Sequence, residues 1–244
     1  MALSILITRP EPAASDFAAA VRAGLGASLR IVIAPVMRIE PLTDALPDLA
    51  GAGTLVLTSV HAAATLRHLP ATCRPVCYCV GATTAAAARA AGFEAVDGGG
   101  DARRLLARLL ADRPPEPVHY LRGEHVAADL AASLAGAGFD VAETVVYRQH
   151  PQPLGAEAES LLAGTAPVIV PLFSPRSAAL FFEAAPPGAP LHVAAISRNA
   201  AARVPPGRAE ALVIARAPDA EAMLTAIEAL ASQVKRVETD PRSK

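Results

Sequence analysis

Short apolar runs alternate along this chain with longer stretches in which apolar residues recur every three or four positions. SILITRP is an apolar run closed by a turn, and DFAAAVRAGLGA after it has helical spacing ended by glycine. LRIVIAPV, MRIEPL and TLVLTS are extended, and TDALPDLAGAG between the last two is predicted as a short helix. PVCYCVG then reads as a strand, TTAAAARAAG as a helix stopped by Gly92, and FEAVDGG as a short strand entering a glycine-rich turn. DARRLLARLLAD sets its arginines opposite its leucines at helical spacing. VHYLRGE, VAADLAASLAGAG and FDVAETVVYRQHP follow as strand, helix and a long extended segment. The last third reads APVIVPLFS (strand), PRSAALFFEAA (helix), LHVAAIS and EALVIA (strands), then the amphipathic helix DAEAMLTAIEALASQVKR. Strand and helix in alternation, with short connections, predict an α/β fold built on parallel sheets.

One phrase is written twice. LVLTSVHAA and VPLFSPRSAA each end an apolar run in a hydroxyl and turn at once into an alanine-rich stretch. Ser59 and Ser174 lie 115 positions apart, and Gly81 and Ser197 lie 116 apart, which indicates two copies of one strand–helix–strand unit. The extended stretches PVMRIEPL and ETVVYRQHP flank the first copy, as a crossover and a return would. The expected organisation is a discontinuous lobe of residues 1–36 and 152–232 and an inserted lobe of residues 43–143. Residues 37–42 and 144–151 join them, and residues 233–244 form a flexible tail.

Composition narrows the function. Of 244 residues, 52% are hydrophobic, enough for large cores, and the net charge of −1 gives no basic field to attract nucleic acid or an anionic membrane. MALSILITRPEP has none of the marks of a signal peptide, and no apolar run reaches the roughly 20 residues that span a bilayer, so a cytoplasmic location is expected. Cys73, Cys77 and Cys79 sit together without the partners of a zinc site and read as structural. No Walker loop, GxGxxG, GxSxG or HExxH is present, so no metal and no nucleotide cofactor is expected.

What remains is a set of neutral donors and a few cations. In open parallel sheets ligands bind beyond the carboxyl ends of the strands. Thr58 and Ser59 stand at one such end, Ser174 and Ser177 at its repeat, and Gly81, Thr83 and Thr84 at another helix start, with Ser197 as the counterpart of Gly81. Free N–H groups at helix starts attract negative charge, although ordinary N-capping explains each hydroxyl equally well. Arg9, Arg122, Arg148 and Arg176 follow strand ends, where guanidinium groups suit carboxylates or phosphates. Tyr147 closes the long extended segment, placed either as a proton donor in a cleft or as a packed interlobe ring.

In this order ILITRP, LTSVHAA, VGATTAAAARAAGF, LRGE, VVYR and LFSPRSA resemble the uroporphyrinogen-III synthase family, over almost the whole chain from Leu6 to about Ile214. The resemblance implies two flavodoxin-like parallel-sheet lobes with a cleft between them and a two-stranded connection. It implies cyclisation of hydroxymethylbilane, a linear tetrapyrrole with eight carboxylates, to uroporphyrinogen III and water, with no cofactor. Tyr147 matches the family's proton-donor tyrosine. Arg9, Thr58, Ser59, Gly81, Thr83, Thr84, Arg122, Gly123, Ser174, Ser177 and Ser197 are the expected substrate contacts. A monomer is expected, one that receives its substrate from the preceding enzyme of the pathway.

Three positions depart from the family pattern. Ser197 and Ala200 replace the glycine and threonine of Ile-Gly-x-x-Thr, and Ala127 replaces a basic residue four positions beyond the glycine of RGE. Two other readings therefore stay open: a two-lobed protein that binds a small anion without chemistry, and a relative that has exchanged synthesis for a regulatory role.

Overall fold

The computed structural model describes residues 3–26, 29–70, 74–125, 129–186 and 188–239. Cys73, Ala127 and residues 240–244 of the expected tail lie outside them. The chain runs β1 (Ser4–Ile7), α1 (Ala13–Leu25), β2 (Arg30–Ile33), β3 (Met37–Pro41), β4 (Thr54–Leu57), α2 (Val60–Thr65), β5 (Val76–Cys79), α3 (Ala82–Ala90) and β6 (Ala95–Asp97). It continues with α4 (Ala102–Asp112), β7 (Val118–Gly123), α5 (Leu130–Gly136), β8 (Val141–Pro151), α6 (Ala156–Leu162) and β9 (Val168–Leu172). The last elements are α7 (Pro175–Ala184), β10 (Leu191–Ala195), α8 (Arg198–Ala201), β11 (Ala211–Ile214) and α9 (Ala220–Thr239), so helix continues through residues 233–239.

Two compact units divide the chain, residues 1–38 with 151–244 and residues 39–150. Unit 1 holds a five-stranded sheet of order β2-β1-β9-β10-β11, every pairing parallel. Numbered within the unit, that order is 2-1-3-4-5, the flavodoxin arrangement. Unit 2 holds β6-β5-β4-β7-β8, again parallel, with β3 added beyond β8. Its order is 3-2-1-4-5, which is the same sheet cut at a different place. β4, β5 and β6 correspond to β9, β10 and β11, and β7 and β8 to β1 and β2.

Helices cover both faces of such a sheet, so its central strands are continuously apolar rather than alternating. All residues of β1, β4, β9 and β10 are buried. In unit 2, Leu55 and Leu57 pack with Ala62, Ala63, Ala85 and Ala88 of α2 and α3, while Val56 between them packs with Leu105, Leu109 and Leu134 of α4 and α5. In unit 1, Ile5, Ile7 and Ile169 pack against Phe17, Val21, Ile227 and Leu230 of α1 and α9. Each fully buried Leu, Ile or Val contributes about 1.5–3 kcal/mol.

Sequence and structure differ in three further places. The helix expected over 43–53 is a single 3-10 turn, Thr43–Ala45, because Leu46 precedes Pro47 and takes an extended ψ of 128°. α1 begins three residues before Asp16, since the Glu11 carboxylate accepts both the Ser15 N–H (3.0 Å) and the Ser15 hydroxyl (2.9 Å) and so caps the helix from outside. The short helices α6 and α8 were not expected from periodicity, which a single turn or two does not reveal.

Candidate active site

In the order 3-2-1-4-5 the winding direction reverses between β4 and β7, and open α/β sheets bind ligands beyond the strand ends at such a reversal. The carboxyl ends of those two strands carry four of the residues singled out in the sequence: Thr58, Ser59, Arg122 and Gly123. Ser59 adopts extended dihedrals and caps α2, its oxygen accepting the His61 N–H at 3.1 Å. Thr58 and Tyr120 share a hydrogen bond of 2.8 Å between hydroxyls. Arg122 forms a two-pronged ion pair with Glu143 (3.0 and 2.8 Å) and donates a third bond to the Gly123 carbonyl at 3.0 Å. Its guanidinium is thereby engaged within the loop.

Tyr147 completes this group from β8. It pairs with Gly123 where the β7–β8 register slips, and its carbonyl accepts the Glu124 N–H at 3.1 Å. Its ring rests on the Gly123 backbone so closely that a Cβ there would stand 2.7 Å from both Cε2 and the hydroxyl oxygen. Glycine is required here by proximity, not by φ. The His61 ring lies 5.5 Å away, tilted by 60°. Only 5% of Tyr147 is exposed, and burial pushes the phenol pKa up while the Ser59 side chain pulls it down by favouring the phenolate. Burial likewise raises the Tyr120 phenol, against the opposing pull of Thr58 and Arg122. The result is a dry, neutral phenol that holds its proton at neutral pH beside a hydroxyl able to stabilise its anion.

Farther along the same sheet, α3 starts at Gly81, which offers no side-chain cap. Its first N–H groups, which have no intrahelical acceptor, are thus left without a capping side chain at the carboxyl end of β5. Gly81 also permits close approach, since a Cβ would stand 3.2 Å from Gly100 Cα. Thr83 is exposed in the first turn, whereas Thr84 is buried.

In unit 1 the serines are caps. Ser174 accepts the Ser177 N–H at 3.0 Å, and Ser197 accepts the Ala200 N–H at 3.3 Å. The Ser177 hydroxyl donates to the Ser174 carbonyl (3.1 Å), so the hydroxyl contact between the two serines, 2.8 Å, is donated by Ser174. Arg9 lies 4.0 Å over the Phe173 ring, and burial lowers its pKa against the opposing charge of Asp16. Ala200, where the family pattern has threonine, is fully buried.

Nothing in the sequence singles out Tyr120, His61 or Thr8. The first two are recognisable only once β4 and β7 are known to be neighbours. A separate cavity of about 680 Å³, between Leu46, Pro47, His68 and Leu69, contains none of the expected contacts. Among the described residues no group of three or more His, Cys, Asp or Glu could hold a metal ion, and no helix is long and apolar enough to cross a membrane.

The model of one protein family, HEM4, described as uroporphyrinogen-III synthase HemD, matches residues 17–225. The chain belongs to the uroporphyrinogen-III synthase family. Its fold is also that of solved family structures. Uroporphyrinogen-III synthetase from Helicobacter pylori 26695 aligns with a TM-score of 0.62 at 16% identity, over 94% of this chain and all of that one. A mutant uroporphyrinogen III synthase from Thermus thermophilus aligns with a TM-score of 0.57 at 18% identity, over 95% and 100%. No curated protein matches the chain. Family membership and the parallel-sheet architecture expected from ILITRP to LFSPRSA are thus established.

Proposed function

We propose that this family member is itself a uroporphyrinogen-III synthase, a lyase that closes hydroxymethylbilane with inversion of the terminal pyrrole ring and releases water. The observation that supports it beyond family membership is Tyr147, a buried phenol fixed between Gly123 and Ser59 at the switch point of unit 2.

The chemistry asks little of the protein as an acid and much as a holder. A pyrrole nitrogen lone pair expels the terminal hydroxyl, the C–O bond breaks, and the phenol proton accompanies the departing oxygen as water. The cation left behind is attacked by the substituted carbon of the last ring to give a spiro intermediate; the bond from that carbon to its original methylene then breaks, and the methylene re-bonds at the free α-carbon of the same ring, which inverts it. Loss of the final ring proton returns the phenolate to phenol, so protons balance. A raised pKa keeps the donor loaded, and Ser59 offsets part of the cost of forming the phenolate. Nothing in this scheme calls for a metal or a redox cofactor.

The carboxylates of the bilane need donors distributed over a surface rather than one strong cation, consistent with a net charge of −1. Thr58, Ser59, Thr83, the start of α3 at Gly81, and in unit 1 Arg9, Ser174 and Ser197 are the proposed contacts. Thr84 and Ser177, both buried, shape their helix starts, and Arg122 fixes the Gly123 loop that seats the phenol.

Freshly generated hydroxymethylbilane, incubated with and without protein, oxidised and separated into type I and type III porphyrins, tests the proposal. Type III in proportion to protein, reduced roughly 100-fold or more in Tyr147→Phe with bilane binding retained, is the expected result. Type I alone from a folded sample would refute it and favour the anion-binding reading.

A further inference from the structure

Unit 1 has its own winding reversal, between β1 and β9, and there the strand pairing is short. Their ladder ends at Ile5 opposite Ile169. Val168 N–H and the Leu172 carbonyl bond toward β10, so Ile169 and residue 171 point their backbone groups at β1. Residue 171 is proline and has no N–H to give, so the ladder cannot continue.

Two buried side-chain polar atoms follow the ends of these strands without a hydrogen-bond partner: the Thr8 hydroxyl and Nε of Arg176. Thr8 is only 1% exposed. Ile5 and Ile7 face α1 and α9, so alternation sends Thr8 to the opposite face and Arg9, over Phe173, back to the first. On that opposite face stands α7, a ten-residue helix with Arg176 in its first turn.

The duplicated sheet gives an independent check. In unit 2, Leu57 pairs with Leu121, which packs in one cluster with Ala62 and Ala63 of α2. The β1–β9 register, continued three residues, sets Thr8 opposite Leu172, the counterpart of Leu57. Thr8 thus occupies the place of an apolar core residue, on the α7 side, and Arg176 the place of His61. A hydroxyl there is not needed for packing, and natural proteins rarely leave such groups unpaired.

We propose that Thr8 Oγ1 and Arg176 Nε, at the start of α7, are two donors awaiting one acceptor and form a carboxylate subsite at the switch point of unit 1. This rests on the synthase reading for the identity of the ligand, one side-chain carboxylate of the bilane. Both groups donate to its oxygens, and the free N–H groups of α7 face the same charge.

The test uses uroporphyrin III, a stable cyclic polycarboxylate, and measures its dissociation constant together with ligand-free thermal stability for the whole chain. Thr8→Val keeps the side-chain shape and removes an unpaired hydroxyl. It should raise the ligand-free Tm while weakening uroporphyrin III binding roughly tenfold. Arg176→Leu should weaken binding by a similar factor, and Arg176→Lys should not restore it, because Lys cannot supply Nε–H at that place. Unchanged affinity in both variants, or a Tm that falls in Thr8→Val, overturns the subsite. The bilane assay separates the two ideas. Type III formation with undiminished affinity in the variants removes the subsite and leaves the synthase. Absence of type III with tenfold weaker variants removes the synthase and leaves the subsite.

Discussion

Replacing Gly123 with alanine perturbs the Tyr147 phenol without touching any group that reacts. The added Cβ would crowd Tyr147 Cζ most of all and lie 2.7 Å from Cε2 and from the hydroxyl oxygen, where an ordinary contact begins at about 3.4 Å, so one partner must retreat by about 1 Å. Tyr147 belongs to a packed cluster with Leu57, Leu121 and Val146, which resists that movement. Overpacking of this kind costs about 1–3 kcal/mol. A phenol shifted by most of an ångström leaves its position beside Ser59, and misplacements of about 1 Å cost up to roughly 100-fold in rate. Gly123→Ala should therefore lower kcat for type III formation about 10- to 100-fold, with little change in KM and a Tm lower by several degrees. Gly136→Ala is the control, since nothing lies within 4 Å of its Cβ position, and it should be neutral or slightly stabilising. A Gly123→Ala protein with wild-type kcat and a lowered Tm would refute the claim that turnover depends on where the phenol sits. Unchanged kcat and Tm would refute the packing itself.

Ser59→Ala should cost about 1 kcal/mol as a lost helix cap and, in addition, push the Tyr147 pKa higher, which a spectrophotometric titration at 295 nm reads directly. Burial pushes the Cys79 thiol up to about 12 and raises that of Cys77 as well, so neither presents thiolate at pH 8. Alkylation mapped by mass spectrometry should leave both unmodified in native protein and modify both in urea. Tyr120 and Tyr147 have folded pKa values raised by burial, so the stability they contribute is complete below the unfolded value of about 10 and is lost as pH rises through the folded ones. The buried thiols of Cys77 and Cys79 act in the same direction from a lower pH, so the urea midpoint should begin to fall near pH 9 as the unfolded thiols ionise and fall more steeply above about pH 10. A midpoint that stays constant from pH 8 to pH 11 would contradict this.

Much of the architecture was legible because it is written in periodicity. Runs such as TLVL and VIVPL are apolar throughout, as strands covered on both faces must be, and Gly92 and Gly26 end their helices where the sequence placed them. Strand order was not legible, because sheet neighbours are chosen by chain connection rather than by local pattern. That is why Tyr120, unremarkable in VHYLRGE, emerges as the partner of Thr58 only when β7 is set beside β4. The 43–53 segment departs from its helical pattern for a local reason, the effect of Pro47 on Leu46. Hydroxyls were the hardest to read: Ser59, Ser174 and Ser197 all cap helices, and the sequence could not say which of them also has a proton to offer.

The repeated phrase is explained by where the second sheet enters the first. Unit 1 is interrupted after β2, so its chain order begins with the pair that corresponds to the last two strands of unit 2. Each unit therefore has one winding reversal, flanked by equivalent strands: β4 with β7, and β9 with β1. The scaffold at the two reversals is the same, yet the side chains have diverged. Unit 2 fills the space past its strands with Tyr147 packed on Gly123 beside His61. Unit 1 has Pro10 in the place of Gly123, Arg176 in that of His61 and Thr8 in that of Leu121, and leaves Arg176 Nε and the Thr8 hydroxyl unpaired. Packing alone would have favoured leucine at both Thr8 and Leu121. Under the proposed function, a proton donor at one reversal and a pair of hydrogen-bond donors for a carboxylate at the other would divide the labour as a substrate with one leaving hydroxyl and many carboxylates asks.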